Sequence, residues 1–370
     1  MVKQIAIIGG GIIGATTAFY LSDLQGNENV QVTLFDDDTG QATKAASGII
    51  SPWLSKRRNK RWYALAKRGA ELYPELVKAA QLSDRAYQQS GTIVTRKSHD
   101  DLLALYHEAE IKVQHTSAMG NVELLDADEV QRRMPLLTNA PAGIFVSGGA
   151  RIDGANFVTE LLTRAEQNNV QVSHQRVSLI ADGSLETSDG PRKFDRVIIA
   201  TGAWMHETLQ PLGLNVKVRP QKGQLIDLTI NMPNQWKDMP VMMPESMSDI
   251  IPFNGGKLVI GATHENDEGF DLTPKAAARK QLFKNAQAFI DNLSESQITD
   301  MRVGTRAYTD DFAPFFGVVP MVPNFLIGGG LGSSGLTTGP IIGYFLAQAI
   351  LGGPLDDWSQ YTKPVSRYIV

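Results

Sequence analysis

The sequence predicts an α/β fold whose first part is a doubly wound parallel sheet and whose second part is α+β, built on an antiparallel sheet. The parallel sheet is predicted by the opening 36 residues, where an apolar strand (Lys3–Ile8), a glycine turn, a helix (Ala15–Leu21) and a second apolar strand (Val30–Phe35) follow one another. The antiparallel sheet is predicted by residues 221–263, which alternate apolar and polar side chains between turn residues.

The glycine turn after the first strand has the spacing of a dinucleotide-binding motif. Gly9 permits the tight turn, Gly11 lets a pyrophosphate approach the backbone, and Gly14 lets the helix pack close to the strand. Phosphates would then lie on free N–H groups at the positive end of a helix. Asp36, 22 residues after Gly14, is placed to accept hydrogen bonds from ribose hydroxyls. Because both strands and the acid accompany the glycines, we predict dinucleotide binding over the alternative, an ordinary tight turn.

The composition excludes several classes of protein. The net charge is −4 over 370 residues, so no overall positive field would recruit nucleic acid. The chain contains no cysteine, which excludes disulfides, thiolate metal sites and attachment of a cofactor through sulfur. It begins in a strand, and the apolar run 341–351 is too short to cross a bilayer. We therefore expect a soluble, cytoplasmic protein with no metal site, no nucleic-acid partner and no transmembrane segment; the sequence leaves open whether it forms a homo-oligomer.

The remaining elements are placed by hydrophobic spacing and by turn residues. Asp153 ends a glycine-rich loop and is predicted to cap the helix that follows it. In chain order we predict a helix over 61–78, a loop over 148–154, a helix over 155–167, strands over 170–173 and 194–200, a helix over 274–293, a strand over 325–328 and a helix from about 337 to 351. The nucleotide-binding segments therefore come from separate thirds of the chain, with antiparallel segments inserted between them.

Three further segments favour FAD over NAD as the dinucleotide. The strand over 194–200 ends in Ala-Thr-Gly at Gly202, and residues 43–49 form a loop of small side chains that suits contact with a broad, flat ring. Residues 328–335 form a second glycine turn before a helix, whose positive end would stabilise the negative charge of a reduced flavin. Two alternatives stay open at this point: an NAD-dependent dehydrogenase that uses only the first motif, and a flavin-binding accessory subunit without a substrate.

Eight segments in a fixed order resemble the D-amino-acid-oxidase superfamily of FAD enzymes, in the branch that contains glycine oxidase and monomeric sarcosine oxidase. These segments are 8–14, 45–49, 149–153, 197–204, 220–224, 250–263, 304–317 and 330–340. The resemblance implies a discontinuous, Rossmann-like FAD-binding domain (1–85, 146–219 and 302–370) beside an antiparallel substrate-binding domain (86–145 and 220–301). It also implies FAD, which the absence of cysteine restricts to a form without a thioether bond; we expect it to be non-covalent.

The resemblance also assigns residues to parts of the cofactor. Ile13 and Gly14 would contact the pyrophosphate, Asp36 the ribose, and Val177 the adenine side through its backbone. The flavin would be lined by residues of the small loop and the second glycine turn, with Gly202 close to the dinucleotide. The residues of these two segments are Thr43, Ser47, Gly48, Ile49, Gly330, Leu331, Gly332, Ser333, Ser334, Gly335, Leu336 and Thr337.

On the substrate side, the resemblance implies that Arg306 binds an amino-acid carboxylate. A guanidinium suits that role because it stays charged and forms two parallel hydrogen bonds with a carboxylate. The alternative is a structural arginine paired with Asp310, Asp311 or another acid. Tyr308 would either close over the substrate with its hydroxyl or simply pack.

The substrate pocket departs from the family pattern at three positions. Ala307 stands where the family usually has proline, Asp249 where glycine oxidase has a tyrosine, and Ser333 where glycine oxidase has a second arginine. Asp249 could hold a substrate cation or point to solvent. His264 is either a substrate contact or an ordinary loop residue. The basic run 56–61 is either a solvated face or a surface that attracts an acidic substrate or electron acceptor.

These observations lead to a hypothesis for the reaction. An amino acid (glycine, a D-amino acid, or an N-methyl or other secondary amino acid) would bind with its carboxylate on Arg306 and transfer a hydride from Cα to flavin N5. The imino acid would then hydrolyse in water. The cofactor carries the difficult chemistry, and the protein supplies orientation. The sequence leaves open whether O2 or another electron acceptor reoxidises the flavin.

Overall fold

The computed structural model describes residues 2–24, 30–57, 59–232, 236–352 and 357–370. Its α-helices are α1 (Ile12–Asp23), α2 (Lys60–Ala80), α3 (His99–Val113), α4 (Ala127–Arg133), α5 (Gly154–Gln167), α6 (Met205–Leu209), α7 (Ala276–Gln287) and α8 (Gly335–Leu351). Its strands are β1 (Lys3–Ile8), β2 (Val30–Phe35), β3 (Ile49–Ile50), β4 (Tyr87–Gln88), β5 (Thr92–Thr95), β6 (Val122–Leu125), β7 (Gly143–Val146), β8 (Ala150–Ile152), β9 (Gln171–Ser173), β10 (Ser178–Leu179), β11 (Leu185–Thr187), β12 (Gly190–Arg192), β13 (Arg196–Ile199), β14 (Arg219–Thr229), β15 (Val241–Met243), β16 (Asp249–Phe253), β17 (Lys257–Gly261), β18 (Ile298–Tyr308), β19 (Phe315–Val319) and β20 (Val322–Gly329).

The first large sheet confirms the predicted α/β fold. Its strand order is β19-β20-β13-β1-β2-β9, and every pair is parallel except β19 with β20. Alternate side chains of β1 enter separate cores: Ile5 and Ile7 pack among α1, α2, α5 and α8, whereas Ala6 and Ile8 pack on the opposite face. Both faces of the sheet are therefore covered, which explains why β1 is a continuous apolar run.

The second large sheet has the order β18-β14-β17-β16-β15-β5-β7-β6 and is antiparallel except where β15 pairs with β5. Helix α7 covers one face, where Leu282 and Phe283 pack against the strands. The longest pairing joins β14 to β18 and sets Gln221 opposite Arg306. This sheet confirms the predicted antiparallel part, and Arg306, the arginine predicted to bind substrate, lies on one of its paired strands.

The element limits differ from the predictions at several places. The prediction of a loop over 148–154 is partly wrong, because Ala150–Ile152 forms the buried strand β8 between β3 and β4. The predicted helix over 274–293 is shorter, and α7 ends at Gln287. Helices α1 and α8 begin earlier than predicted, at Ile12 and Gly335. Asp153 caps α5 as predicted, since its side chain accepts a hydrogen bond of 3.0 Å from Asn156 N–H.

The domain limits stay a prediction. The strands of the six-stranded sheet all come from the segments predicted to form the FAD-binding domain, but three predicted boundaries, 145/146, 219/220 and 301/302, fall inside β7, β14 and β18. In the parts of the chain that the structure describes, no helix combines the length and apolar character needed to cross a bilayer.

Candidate active site

One large cavity of about 680 Å³ lies between the carboxyl ends of the parallel strands and a face of the eight-stranded sheet. This position is where open α/β sheets bind their ligands. Most of the residues predicted for the site line it: Gly9, Gly11, Ile13, Asp36, Thr43, Ser47, Gly48, Ile49, Val177, Gly202, Gly330, Leu331, Gly332, Ser333, Ser334, Gly335, Leu336, Thr337 and Arg306. Asp249 and His264 also line it, whereas Gly14 and Tyr308 lie behind the wall.

The glycine turn at the end of β1 has the geometry that its sequence predicts. Gly9 has φ +100°, a conformation that side chains with a Cβ rarely adopt. A Cβ on Gly14 would lie 1.8 Å from the carbonyl oxygen of Gly9, so only glycine lets α1 start this close to the strand. The N–H of Ile12 donates to Oγ1 of Thr43 over 3.0 Å, which ties the first turn of α1 to the small loop.

Asp36 lies at the carboxyl end of β2, on the wall of the cavity. Burial raises the pKa of its carboxyl to about 6, although a hydrogen bond from the backbone N–H of Gly10 opposes that shift. The Gln41 side-chain amide donates to Oδ2 of Asp36. Gln41 could not be predicted as a site residue from the sequence, because its approach to Asp36 depends on how the intervening loop folds.

The small loop is fixed by an arginine from the other sheet. Arg302, on β18, donates from Nη1 to the carbonyl oxygen of Ala46 over 3.1 Å. Its Nε and Nη2 reach Oδ1 of Asp227 at 3.0 and 2.9 Å. Asp227 is buried, so the ion pair is shielded from water and joins the loop to β14. Arg302 therefore positions the loop of small side chains, residues 43–49. The residues around Arg302 in the sequence gave no sign of this role.

The opposite end of the cavity is formed by the second glycine turn and by α8. Ser333, Ser334 and the first residues of α8 line the wall, so the positive end of this helix faces the cavity. The indole N–H of Trp62 donates to Oγ of Ser334 over 3.0 Å. Two helix N-termini, those of α1 and α8, thus meet one cavity.

The residues present fit an FAD molecule. The cavity runs from a ribose-type acceptor at Asp36, past the glycine cradle of α1, to the first turn of α8. A Cβ at Gly14 would close the cradle at its base. The helix N-termini suit a pyrophosphate at one end and an electron-rich ring at the other. Asp36, Thr43 and the turn 330–337 would hold the group.

Arg306 projects from β18 into the cavity, beyond the turn 330–337. Its Nη1 donates to Oε1 of Gln221 over 3.0 Å and to the carbonyl oxygen of Thr263 over 2.8 Å. A Cβ on Gly223 would lie 2.6 Å from Cζ of Arg306, so the guanidinium lies flat on a glycine backbone. Burial lowers the pKa of Arg306, opposed by Tyr308 and Glu265.

Arg306 does not form the structural ion pair that the sequence left open. Asp311 instead pairs with Lys363 and Arg367, and Asp310 is exposed. Across the described ranges, no carboxylate lies within ion-pair distance of Arg306. In the described part of the chain the guanidinium therefore lines the cavity without a carboxylate in direct contact, although the charge of Glu265 acts on it from beyond ion-pair distance.

A second arginine reaches the same region from the basic run 56–61. Arg57 donates from Nη2 to Oγ of Ser333 over 2.7 Å, and its guanidinium lies 4.8 Å from the centre of the Trp62 ring. Lys56 also lines the cavity but pairs with Glu245, whereas Arg61 lies outside the cavity and donates to the carbonyl oxygen of Ser359. Arg58 lies outside the described residues. The run is therefore not one uniform face, and sequence reasoning did not single out Arg57.

His264 and Asp249 differ in their electrostatics. Burial, followed by the positive charge of Arg306, lowers the pKa of His264 to about 4, so its imidazole is neutral at pH 7. Burial alone raises the pKa of Asp249 to about 7. The Asp249 carboxyl has no hydrogen-bond or ion-pair partner among the residues that the structure describes. Both side chains line the cavity, where Asp249 is half-buried and His264 is exposed.

Tyr308 packs more than it faces the cavity. Its ring is buried, and a Cβ on Gly332 would lie 2.3 Å from its Cε1. The guanidinium carbon of Arg219 lies 5.3 Å from the centre of the Tyr308 ring. The hydroxyl interacts with Arg57 and with Arg306. A direct catalytic role for Tyr308 stays a prediction. Among the described residues, no group of three or more His, Asp or Glu side chains is arranged to hold a metal ion.

The fold and the cavity define an FAD-dependent oxidoreductase, and comparison with known proteins shows the family. The family model described as DAO, FAD dependent oxidoreductase, matches residues 4–349. The chain belongs to this family, which confirms the predicted fold class and cofactor and excludes the alternative of an NAD-dependent dehydrogenase. The enzyme class is thereby also established, in preference to an accessory subunit.

The similarity to individual proteins covers nearly the whole chain. It is 35% identical over 371 residues to the uncharacterized oxidoreductase YurR of Bacillus subtilis (strain 168), covering 97% of this chain and 98% of that protein. It is 26% identical to the glycine oxidase of Pseudomonas putida, with 98% of each chain covered. The crystal structure of iminodiacetate oxidase from Chelativorans sp. BNC1 is similar, with a TM-score of 0.89, 31% identity and 98% of each chain covered.

Proposed function

We propose that this protein oxidises the C–N bond of a small amino acid whose nitrogen is adjacent to a carboxylate-bearing carbon. The substrate class includes glycine, D-amino acids and N-substituted glycines, and FAD is held without a covalent bond. The relatives named as glycine oxidase and iminodiacetate oxidase support this class, because the compounds in both names carry a carboxylate on the carbon next to nitrogen.

A single observation carries the proposal: Arg306 lines the cavity with no carboxylate of the described residues within ion-pair distance. Gln221 and Thr263 accept hydrogen bonds from Nη1 only, which orients the guanidinium and leaves Nε and Nη2 for a ligand. That pair of nitrogens is one of the edges that binds a carboxylate through two parallel hydrogen bonds.

The chain's own residues would orient the substrate and shape its electrostatics. Arg306 fixes the carboxylate, and the positive end of α8 lines the same cavity. The imidazole of His264 stays neutral at pH 7. It therefore adds a hydrogen-bonding group without adding a positive charge to those of Arg306 and Arg57. FAD, when bound, supplies the acceptor for the two electrons removed from the C–N bond, and the imino acid that forms is hydrolysed by water.

The test is an anaerobic titration of the purified holoprotein. Glycine, sarcosine, proline, iminodiacetate and a panel of D-amino acids are added one at a time, and the visible flavin absorption is followed. Bleaching by at least one amino acid supports the proposal, while a flavin that none of them reduces contradicts it. Peroxide yield under air then decides between O2 and another acceptor. Release of flavin from acid-denatured protein into a filtrate tests non-covalent binding.

A further inference from the structure

Four arginines line the cavity, and two of them, Arg57 and Arg306, have neighbours in common and no carboxylate within ion-pair distance in the described chain. Of the other two, Arg176 pairs with Asp37, and Arg96 donates to the carbonyl oxygen of Thr95. Arg306 comes from β18, whereas Arg57 comes from the loop that precedes α2. The hydroxyl of Tyr308 interacts with both guanidiniums, and both also act electrostatically on His264. The two cations therefore lie close enough to share neighbours. Like charges that are partly removed from water repel each other, so the arrangement needs anions to complete it.

Arg57 is held rigidly for a surface-loop arginine. Ser333 accepts a hydrogen bond of 2.7 Å from its Nη2, and the Trp62 ring lies under the guanidinium at 4.8 Å. Trp62 is itself fixed by its hydrogen bond to Ser334. A guanidinium held on a ring and a hydroxyl has already lost most of its side-chain entropy, which lowers the cost of binding an anion.

One nitrogen of Arg57 lacks a partner. Nη1 is buried from solvent and forms no hydrogen bond within the described part of the chain. A buried donor of a charged group without an acceptor is destabilising, and such a group in a ligand cavity indicates the position of a missing acceptor. The acceptor that matches a guanidinium edge is a carboxylate oxygen.

We propose that Arg57 forms a second carboxylate site and that the substrate is an imino-dicarboxylate, an amino acid whose nitrogen carries another carboxylate-bearing arm. The first carboxylate lies on Arg306 and the second on Arg57, with the nitrogen between them. This inference rests on the proposed function for the role of Arg306. The groups that accept hydrogen bonds from the two arginines belong to different elements: those for Arg306 belong to the sheet that contains β14 and β18, and the one for Arg57 belongs to the turn before α8. This arrangement favours two separate anions over one shared carboxylate.

The inference is tested by binding, without turnover. Oxydiacetate has two carboxylate arms on an ether oxygen, and methoxyacetate has one; neither is an amine. Isothermal titration calorimetry on the FAD-loaded protein gives Kd for both. We expect the wild type to bind oxydiacetate at least about tenfold more tightly, the effect of one added charge-assisted pair. In R57Q the preference should fall to within about threefold, while Kd for methoxyacetate changes little.

Two control variants distinguish a specific carboxylate site at Arg57 from a general electrostatic attraction by the basic run. R61Q removes a cation of the same basic run that lies outside the cavity, and it should keep the wild-type preference. R57K keeps the positive charge but cannot form two parallel hydrogen bonds with one carboxylate, so it should show an intermediate preference for oxydiacetate. Equal binding of the two probes by the wild type, or equal weakening of both by R57Q, would overturn the inference. Because the probes are not oxidised, these outcomes are independent of the anaerobic titration that tests the proposed function.

Discussion

The guanidinium of Arg57 donates a hydrogen bond of 2.7 Å to the hydroxyl of Ser333, across a separation of 276 residues in sequence. Ser333 is the position at which the family resemblance predicted the loss of an arginine from the pocket. The fold brings an arginine to the same place from another part of the chain. The guanidinium beside position 333 therefore comes from the loop before α2 and not from the glycine turn itself.

Replacement of Arg306 by leucine should raise KM for the oxidised amino acid by about 100-fold or more, because the carboxylate loses its charged partner. FAD should stay bound, since Arg306 donates to Gln221 and Thr263 and to none of the residues that would hold the phosphates and the ribose. Steady-state kinetics and the ratio of flavin to protein absorbance measure the two effects. R306K should lie between the wild type and R306L, because lysine keeps the charge without the fork.

The matched control for R306L is Arg279→Leu, which removes an arginine paired with Glu295 on the exposed side of α7. Its KM should equal that of the wild type. If R306L and R279L had the same kinetics, Arg306 would have no role in substrate binding.

Gly14→Ala should abolish the recovery of FAD with the purified protein. The new Cβ would lie 1.8 Å from the carbonyl oxygen of Gly9, so α1 must move away from β1 and spoil the phosphate cradle. We expect Kd for FAD to rise by at least about tenfold. Gly255→Ala serves as a control, because Gly255 has φ +79° but no atom within 4 Å of an added Cβ. It should cost some stability and leave FAD affinity unchanged.

Arg151 should be the most important buried charge for stability, although it lies outside the cavity. It is 1% exposed and forms six hydrogen bonds, to four carbonyl oxygens and to the side chains of Gln88 and Asn254. Burial lowers its pKa to about 10, which leaves it charged at pH 7. Arg151→Met would strand these acceptors and should reduce the free energy of unfolding by about 3–5 kcal/mol.

Urea unfolding measures the effect of Arg151→Met. Arg85→Met, in an exposed turn, is the control and should change the midpoint little. A midpoint of R151M equal to that of the wild type would mean that the carbonyl oxygens around Arg151 find water instead.

Much of the fold could be predicted from the sequence because its signals are local. The strand, glycine turn, helix and acid of the first 36 residues are each fixed by neighbouring residues, and the structure forms them in that order. The errors occur where distant residues decide. Strand β8 has three residues beside glycines and shows no alternation, yet Arg151 at its centre is fixed by contacts with distant parts of the chain. The predicted helix over 274–293 stops early, and the carbonyl oxygen of Phe289 instead accepts the N–H of Thr138.

The candidate site shows the same division. Its glycines and Asp36 could be predicted, because each occupies a defined place in a motif. Arg57, Arg302 and Gln41 could not, because their partners depend on the paths of loops in three dimensions. In the sequence, Arg57 is only one member of a basic run. The pattern of that run could not indicate which member lines the cavity without a carboxylate partner among the described residues.

Asp249 should make the stability of the protein depend on pH. Burial raises its pKa to about 7 in the folded protein, above the ordinary value of 3.8 that applies when the chain is unfolded. Between these two values the folded state holds a proton that the unfolded state has lost, so unfolding releases a proton and the free energy of unfolding falls as pH rises. The loss begins near pH 4 and is complete above pH 7. Asp249→Asn, which cannot ionise, removes this dependence.

The melting temperature of D249N should therefore exceed that of the wild type by a few degrees at pH 8 and approach it at pH 5, where the wild-type carboxyl is protonated. Differential scanning calorimetry of the FAD-loaded protein at both pH values measures this difference. Asp267→Asn, at an exposed loop position, is the control and should show the same shift from wild type at both pH values. If D249N were destabilised at pH 8, the Asp249 carboxylate would have a cationic partner when the cofactor is bound, and its role would be that of a charged ligand rather than a buried acid.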